Sequence, residues 1–295
     1  MTTGTQVVEM ANNAAGSEAT DDVVIRLRQW GTDKIHVLPE LPFGRWLVGN
    51  SSDCAVRLVD RFVAPKHAEL RLEANGWWIF DRGTPQGVRQ DGVPRRRFPL
   101  TPGVEIGIGA TTLVAESLRC VRLREFCQRL LGWGGDRTRA VDQALRTIRA
   151  ATARRAALVL CGDGDLVPIA YALHRYTQGD AAPFIVCDRR RRDTNATVRA
   201  RTNIPTGMEA FTAATGGSLC LRWPRLPADI DEVVGRAYEP ESEVQLVMCV
   251  RRQHRAVALS GTMTIQMPPL QIREIELPRI VEEYAADAIK ALGAR

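Results

Sequence analysis

Between Val23 and Glu116 the apolar positions recur every second residue, in runs too short for helices. VVIRLRQW, KIHVL, RWLVG, CAVRL, HAELRLE, WWIFD, VEIGI and TTLVAE are each bounded by Gly, Pro or Asp, and most alternate apolar with polar. Alternation at period two places successive side chains on opposite faces, so each run reads as a strand with one face buried. Eight such runs with no helix-period segment between them predict an all-β sandwich. Trp77 and Trp78, being adjacent on one strand, must face opposite ways, with one of them in the core.

After Cys120 the rhythm changes. VRLREFCQRLL and RTRAVDQALRTIRAATAR carry apolar residues at helical spacing. ALVLC follows as a strand that is apolar throughout, then a Gly-Asp turn, then the helix-like VPIAYALHRY. The alternation continues through PFIVC, MEAFTAA, SLCL, ADIDEVVGRAY, VQLVMCV and LPRIVEEYAADAIKAL. Strands without a polar face, interleaved with helices, predict an α/β domain whose mainly parallel sheet is covered on both sides. The expected organisation is a disordered tail over 1–22, the sandwich over 23–118, a linker over 119–136 with GWGGD as a hinge, and the α/β domain over 137–295.

Composition narrows the function classes. Forty Lys and Arg against 34 Asp and Glu give a net charge of +6, with arginine runs at Arg95–Arg97 and Arg189–Arg192. Neither run is interleaved with aromatics that could stack on bases, so both read as solvated loops and nucleic-acid binding is not expected. No window is long and apolar enough to span a bilayer, and the N-terminus lacks the basic start and apolar block of a signal peptide. Seven cysteines without a CxxC pair read as buried thiols in a reducing compartment, so a cytoplasmic location is expected.

The segment from Val48 to Gly109 resembles a forkhead-associated (FHA) domain, a module that typically reads phosphothreonine peptides. The resemblance is carried by VGNSSDCAVRLVDRFVAPKHAELRL, GWWIFDRGTPQGVRQDGV and LTPGVEIGIG. It implies a phosphopeptide pocket at Asn50, Ser51, Ala64, Lys66, His67, Thr84 and Gln86. Several of these depart from the family pattern. Asn50 stands where the family has the arginine that grips phosphate, Ala64 where it has a phosphate-binding serine, and Gln86 where it has an asparagine that holds the peptide backbone. His67, in the family a structural hydrogen-bonder, is unchanged. Losing one charge-assisted bond costs on the order of 1.5–3 kcal/mol, so two such losses would remove most phosphopeptide affinity. Arg45, Arg61 and Lys66 are the candidate substitute cations.

Residues 137–291 resemble the AAA+ central domain of bacterial enhancer-binding proteins, the ATPases that act with the sigma-fifty-four-type factor. ALVLCGDGD through PFIVCD looks like the opening strand, nucleotide loop, helix and second strand; AFTAATGGSLCL, VQLVMCV and MPPLQIRE look like later segments. The resemblance implies a P-loop-type fold, and the departures from it imply lost chemistry. The loop Gly162, Asp163, Gly164, Asp165 has no lysine and no hydroxyl for magnesium, and its two aspartates are expected to repel phosphate. Pro168 is expected to interrupt or delay the following helix. Arg222 and Trp223 replace the aspartate–glutamate pair that would hold magnesium, and Arg251 replaces the sensor asparagine. EAFTAA, which echoes the family's GAFTGA loop, falls where a structural helix belongs. The chain ends at Arg295 without the lid and helix-turn-helix of such activators, so no vehicle for sequence-specific DNA binding is expected.

Other chemistry finds little support. His36, His67, His174 and His254 are scattered without metal-ligand spacing, and Ser260 lacks a nucleophile-elbow pattern. Asp229, Asp231 and Glu232 read as the acidic first turn of a helix. These features add up to a degenerate AAA+-like body behind an FHA-like head: a non-catalytic regulatory adaptor, not an enzyme, with no ATP, magnesium or metal. Its expected partners are proteins, phosphorylated ones or AAA+ activators. The alternatives are an ATP-dependent transcriptional regulator and a phosphothreonine reader using the substitute cations.

Overall fold

A computed structural model describes residues 21–40, 46–189, 202–252 and 262–292. Most of the expected N-terminal tail, together with Arg45, Arg190–Arg192, His254 and Ser260, lies outside the described residues. The chain divides into two compact units between Arg124 and Glu125.

The first unit is a sandwich of two sheets. One has the order β2-β1-β11-β10-β7-β8, formed by Ile35–Val37, Val24–Gln29, Thr111–Ser117, Glu105–Ile108, Val88–Gln90 and Val93–Arg95. The other has the order β4-β3-β5-β6-β9, formed by Val56–Arg57, Trp46–Gly49, Ala68–Glu73, Gly76–Asp81 and Arg97–Pro99. All pairings are antiparallel except β3 with β4. The period-two pattern does what it predicts. Along β6 the burial alternates, Trp77 and Ile79 entering the core while Trp78 and Phe80 stay half-buried with ring centroids 6.5 Å apart. Leu27, Val48, Leu58, Leu70, Ile79, Ile106, Ile108 and Leu113 form the centre of one apolar cluster. Full burial of each large member is worth roughly 1.5–3 kcal/mol. The Arg95–Arg97 run, expected as a solvated loop, instead joins the ends of β8 and β9. The three arginines stay exposed, and Phe98, directly after them, enters the core and anchors β9.

The second unit is an α/β layer structure. Its sheet has the order β13-β14-β15-β12-β16, all parallel, from Phe184–Cys187, Ser218–Arg222, Gln245–Arg251, Leu158–Gly162 and Met263–Gln266. Helix α1, Leu118–Leu131, runs through the division at Arg124; after it come α2 Thr138–Arg154, α3 Val167–Gln178, α4 Gly207–Ala213, α5 Ile230–Ala237 and α6 Leu277–Leu292. Helices α4 and α5 cover one sheet face with Ala210, Ala214 and Val233 against Ile185, Leu219, Leu221 and Met248. On the other face α3 lies against β13, β14 and β15, where Tyr171 and Phe184 meet edge to face at 5.2 Å. The EAFTAA segment thus covers the end of a short helix, with Ala210 and Ala214 in the core and Ala213 exposed.

Two local expectations change. Pro168 neither interrupts nor delays α3; it occupies the first turn, where the missing N–H has no intrahelical partner to lose. Asp229 is not part of its own helix's acidic turn. It accepts the backbone N–H groups of Gly207 at 3.1 Å and Met208 at 2.8 Å, and so caps α4 from a distant loop. Asp231 and Glu232 do lie in the first turn of α5.

Candidate functional site

The sandwich loops that bring the pocket residues together lie after β3, before β5 and after β6. Their spacing depends on Gly49, the last residue of β3. A Cβ there would stand 2.1 Å from the Pro65 carbonyl oxygen, so only glycine lets the loop lie against residues 64–65. The backbone N–H groups of Asn50 and Ser51 donate to the carbonyls of Ala64 and Pro65 at 3.2 and 3.3 Å. Asn50 adds its side chain, donating Nδ2–H to the Val63 carbonyl at 2.6 Å. The residue at the expected phosphate-gripping position is therefore a brace within its own loops.

His67 is fully buried beneath this contact. Its Nδ1 accepts the Ala64 N–H at 3.1 Å, which places the ring proton on Nε2. Nε2 faces both the Gly87 carbonyl and the Thr84 hydroxyl at 2.9 Å, and Thr84 extends the chain to Asp81 at 3.4 Å. One imidazole thus pins the loop before β5 to the loop after β6. With every ring nitrogen engaged in structure, it has no free lone pair or proton for catalysis.

The polar groups left at the surface are also committed. A side-chain hydrogen bond with Ser51, and next one with Lys66, hold the Asp53 carboxyl below the ordinary carboxylate range. Lys66 and Asp53 lie 3.1 Å apart with both side chains about half exposed. Solvent screens such a pair, so Lys66 can exchange partners at little cost. The Arg61 guanidinium lies 4.7 Å over the Phe62 ring, and Arg82, which the sequence reading did not single out, bonds Glu69 at 3.2 Å. Gln86 is exposed and Ala64 is half-buried. The structure therefore assembles Asn50, Ser51, Ala64, Lys66, His67 and Thr84 in one hydrogen-bonded region, with its cations at the rim.

In the second unit the loop after β12 sits at the carboxyl edge of the parallel sheet, where such sheets place ligands. Its carboxylates are not bare. Asp163 pairs with Arg252 at 3.1 Å, and Asp165 lies 3.6 Å from Arg222 and accepts the Val167 N–H at 3.3 Å. Arg222 continues to the fully buried Asp188 at 3.1 Å, which Arg225 also approaches at 3.5 Å. The repulsion expected of Asp163 and Asp165 is thus largely offset. What the loop lacks is a cation of its own, and its approach is narrowed because the Met267 side chain closes on Gly162, where a Cβ would stand 2.9 Å from the methionine methyl. Arg222 is tied to carboxylates, while Trp223 packs against the core. Among the described residues no group of three His, Cys, Asp or Glu could hold a metal ion.

His174 is buried, with Nδ1 2.9 Å from the Ser218 hydroxyl and Nε2 3.0 Å from the Ala182 carbonyl. Burial lowers its pKa, opposed in part by the bond to Ala182. All seven cysteines are free, and only Cys120 is not buried. Burial, followed by the charges of Asp229 and Asp188, pushes the Cys187 thiol up to about 11.

A family model described as "Inner membrane component of T3SS, cytoplasmic domain" matches residues 31–117. Among solved structures, a study of phosphothreonine-dependent FHA domain interactions supplies a domain 22% identical, with TM-score 0.29, covering 32% of this chain and 96% of that one. The FHA domain of FhaA, complexed with the intracellular domain of Rv3910, is 22% identical with TM-score 0.27, covering 30% of this chain and 96% of that one. Mycobacterium tuberculosis EmbR, in complex with a low-affinity phosphopeptide, is 16% identical with TM-score 0.31; the match covers 37% of this chain and 30% of EmbR. Among curated proteins none matches. No helix among the described residues is long and apolar enough to cross a membrane.

Proposed function

We propose that this chain is a non-catalytic adaptor whose FHA-like sandwich binds a partner protein through the loops around His67, with the α/β unit as its body. The observation that carries the reading is the internal use of Asn50. At the position where a phosphate reader presents a guanidinium, this chain presents an amide already donated to Val63. Ser51 and Lys66 are both engaged by Asp53, and Ala64 offers no hydroxyl. A loop surface braced in this way is stiff, which favours protein recognition by lowering the ordering cost. It offers little to a doubly charged phosphoryl group.

In the α/β body, the missing lysine and magnesium ligands and the carboxylate-paired arginines support a body that does not hydrolyse nucleotide. The degenerate AAA+-like assignment belongs to this reading. It fits a parallel sheet whose loop strand, β12, is flanked on both sides and ends at the ligand edge.

The experiment has two arms. In the first, a threonine peptide library and its phosphothreonine twin are compared by anisotropy on the full chain. The expected preference for phosphate is less than tenfold, and a preference well above that sinks the phosphate-independent reading. That outcome would favour the second reading, a phosphothreonine reader, which the exposed and weakly held Arg61 and Lys66 support. In the second arm, phosphate release from ATP with magnesium is measured and is expected at the rate seen without protein. Release that saturates with ATP would restore the ATP-dependent regulator.

A further inference from the structure

The α/β unit holds a cavity of about 500 Å³ lined by Arg189, Arg222, Arg225 and Arg251. Sequence distance hides the cluster, and the parallel sheet creates it. Arg222 is the last residue of β14, Arg251 the last of β15, and Arg189 follows the end of β13 by two residues. Three neighbouring parallel strands therefore deliver one guanidinium each to the same edge, and Arg225 joins from the loop after β14.

The charges at this edge do not balance. Four guanidiniums line the cavity; Asp165 and Asp188 pair with Arg222 and Arg225, and the Asp229 carboxylate acts on Arg189 at longer range. Asp188 is fully buried and orients Arg222 and Arg225, so these two are held in place before any ligand arrives. Arg189 and Arg251 make no ion pair among the described residues. Like charges gathered in a concave site raise the local potential and draw anions to it. Trp223, Pro224 and Leu226 supply the apolar part of the lining. The volume falls within the roughly 300–1,000 Å³ of small-molecule sites, too small for a folded partner and well matched to a metabolite.

We propose that this cavity binds a small organic phosphate as its free anion, with the phosphate on the arginines and the organic part against Trp223 and Leu226. Arginine forks supply bidentate donors to phosphate oxygens, so the site needs no divalent cation. It adjoins the loop Gly162–Asp165 through the Asp165–Arg222 pair, and it makes the α/β body a ligand-responsive element. It goes beyond the adaptor reading and does not depend on it.

Calorimetry on the full chain in EDTA tests this with three probes: ADP, pyrophosphate and adenosine. ADP is expected to bind, pyrophosphate to bind more weakly, and adenosine to give no heat. The double variant Arg189→Gln/Arg251→Gln removes two charge-assisted contacts but no ion pair of the fold, and is expected to weaken ADP binding at least about tenfold with an unchanged melting temperature. Absence of ADP binding at millimolar concentration, or equal binding by the double variant, overturns the site. Pyrophosphate binding as tight as ADP overturns the organic half of the assignment. ADP binding that requires magnesium also overturns the inference. The non-catalytic reading stands or falls separately, on phosphate release.

Discussion

Asn50 donates its side-chain amide to the carbonyl of Val63 at 2.6 Å, tying the loop after β3 to the loop before β5. This contact converts a binding position into a brace. It also defines an experiment in gain of function. Asn50→Arg with Ala64→Ser restores the guanidinium and hydroxyl that the FHA resemblance leads one to expect. The double variant is expected to lose about 1 kcal/mol of stability with the brace, and to prefer phosphothreonine over threonine peptide by at least about tenfold. Urea titration reads the first effect and anisotropy the second. If the double variant binds both peptides equally, these two positions do not control phosphate selectivity.

His67 holds the same region from below. Removing its buried ring takes the partner from the half-buried Ala64 N–H and Gly87 carbonyl and leaves a void beneath the loops. His67→Ala is expected to cost on the order of 2–4 kcal/mol, and Thr84→Val about 1 kcal/mol, since only one spoke of the hub is lost. Chemical denaturation of the two variants should show that ranking; equal costs would mean the ring is not the hub.

Asp229 caps a helix to which it does not belong. The Met208 N–H bond is the largest of the effects that hold its carboxyl below the ordinary range; burial opposes it, and the Gly207 N–H adds to it. A depressed carboxylate stabilises the fold above its unfolded value near 4, and that stability is lost as pH falls through the folded value. Asp229→Ala should therefore cost about 1–2 kcal/mol at pH 7 and progressively less in acid. Denaturation midpoints at pH 7 and pH 3 check both the size and the direction.

His174 loses stability in the same direction, from a different cause. Its pKa is lowered by burial, so the neutral ring is the form the fold prefers. Its contribution is complete above the unfolded value near 6.5 and fades as pH falls through the lower folded value. The urea midpoint of the wild type should fall between pH 7.5 and pH 5.0, and that of His174→Gln should fall less. Parallel midpoints in the two proteins would assign the pH dependence elsewhere.

Much of this architecture can be read from the chain, because strand and helix periods are local properties. Each long run chosen for its pattern, from VVIRLRQW to LPRIVEEYAADAIKAL, contains an element of the matching type. The pieces that escaped are short or lie at edges. β7, β8 and β9 have three residues each and carry Arg and Pro, so their pairing is set by neighbours and not by pattern. β16 is four residues long and only its Ile265 is fully buried, leaving too little alternation to detect. That Asn50, Ala64 and Thr84 would gather around His67 could be anticipated from the spacing of the FHA-like segment. The partners that occupy them, Val63 for Asn50 and Asp53 for Ser51 and Lys66, depend on loop geometry. The cap from Asp229 to Met208 and the arginine cluster at Arg189, Arg222, Arg225 and Arg251 come from strand order, which no local window contains.

The position of β12 has a consequence for how the protein is made. This strand leaves the ribosome well before β15 and β16, the two strands that flank it. Until both have been synthesised, its edges present unpaired amides and carbonyls along an apolar ribbon, the kind of surface that recruits other chains. Nascent chains stalled before Met263 should therefore lean on chaperones and clump when these are depleted, whereas the sandwich, whose strands are all complete by Ser117, can close early in translation.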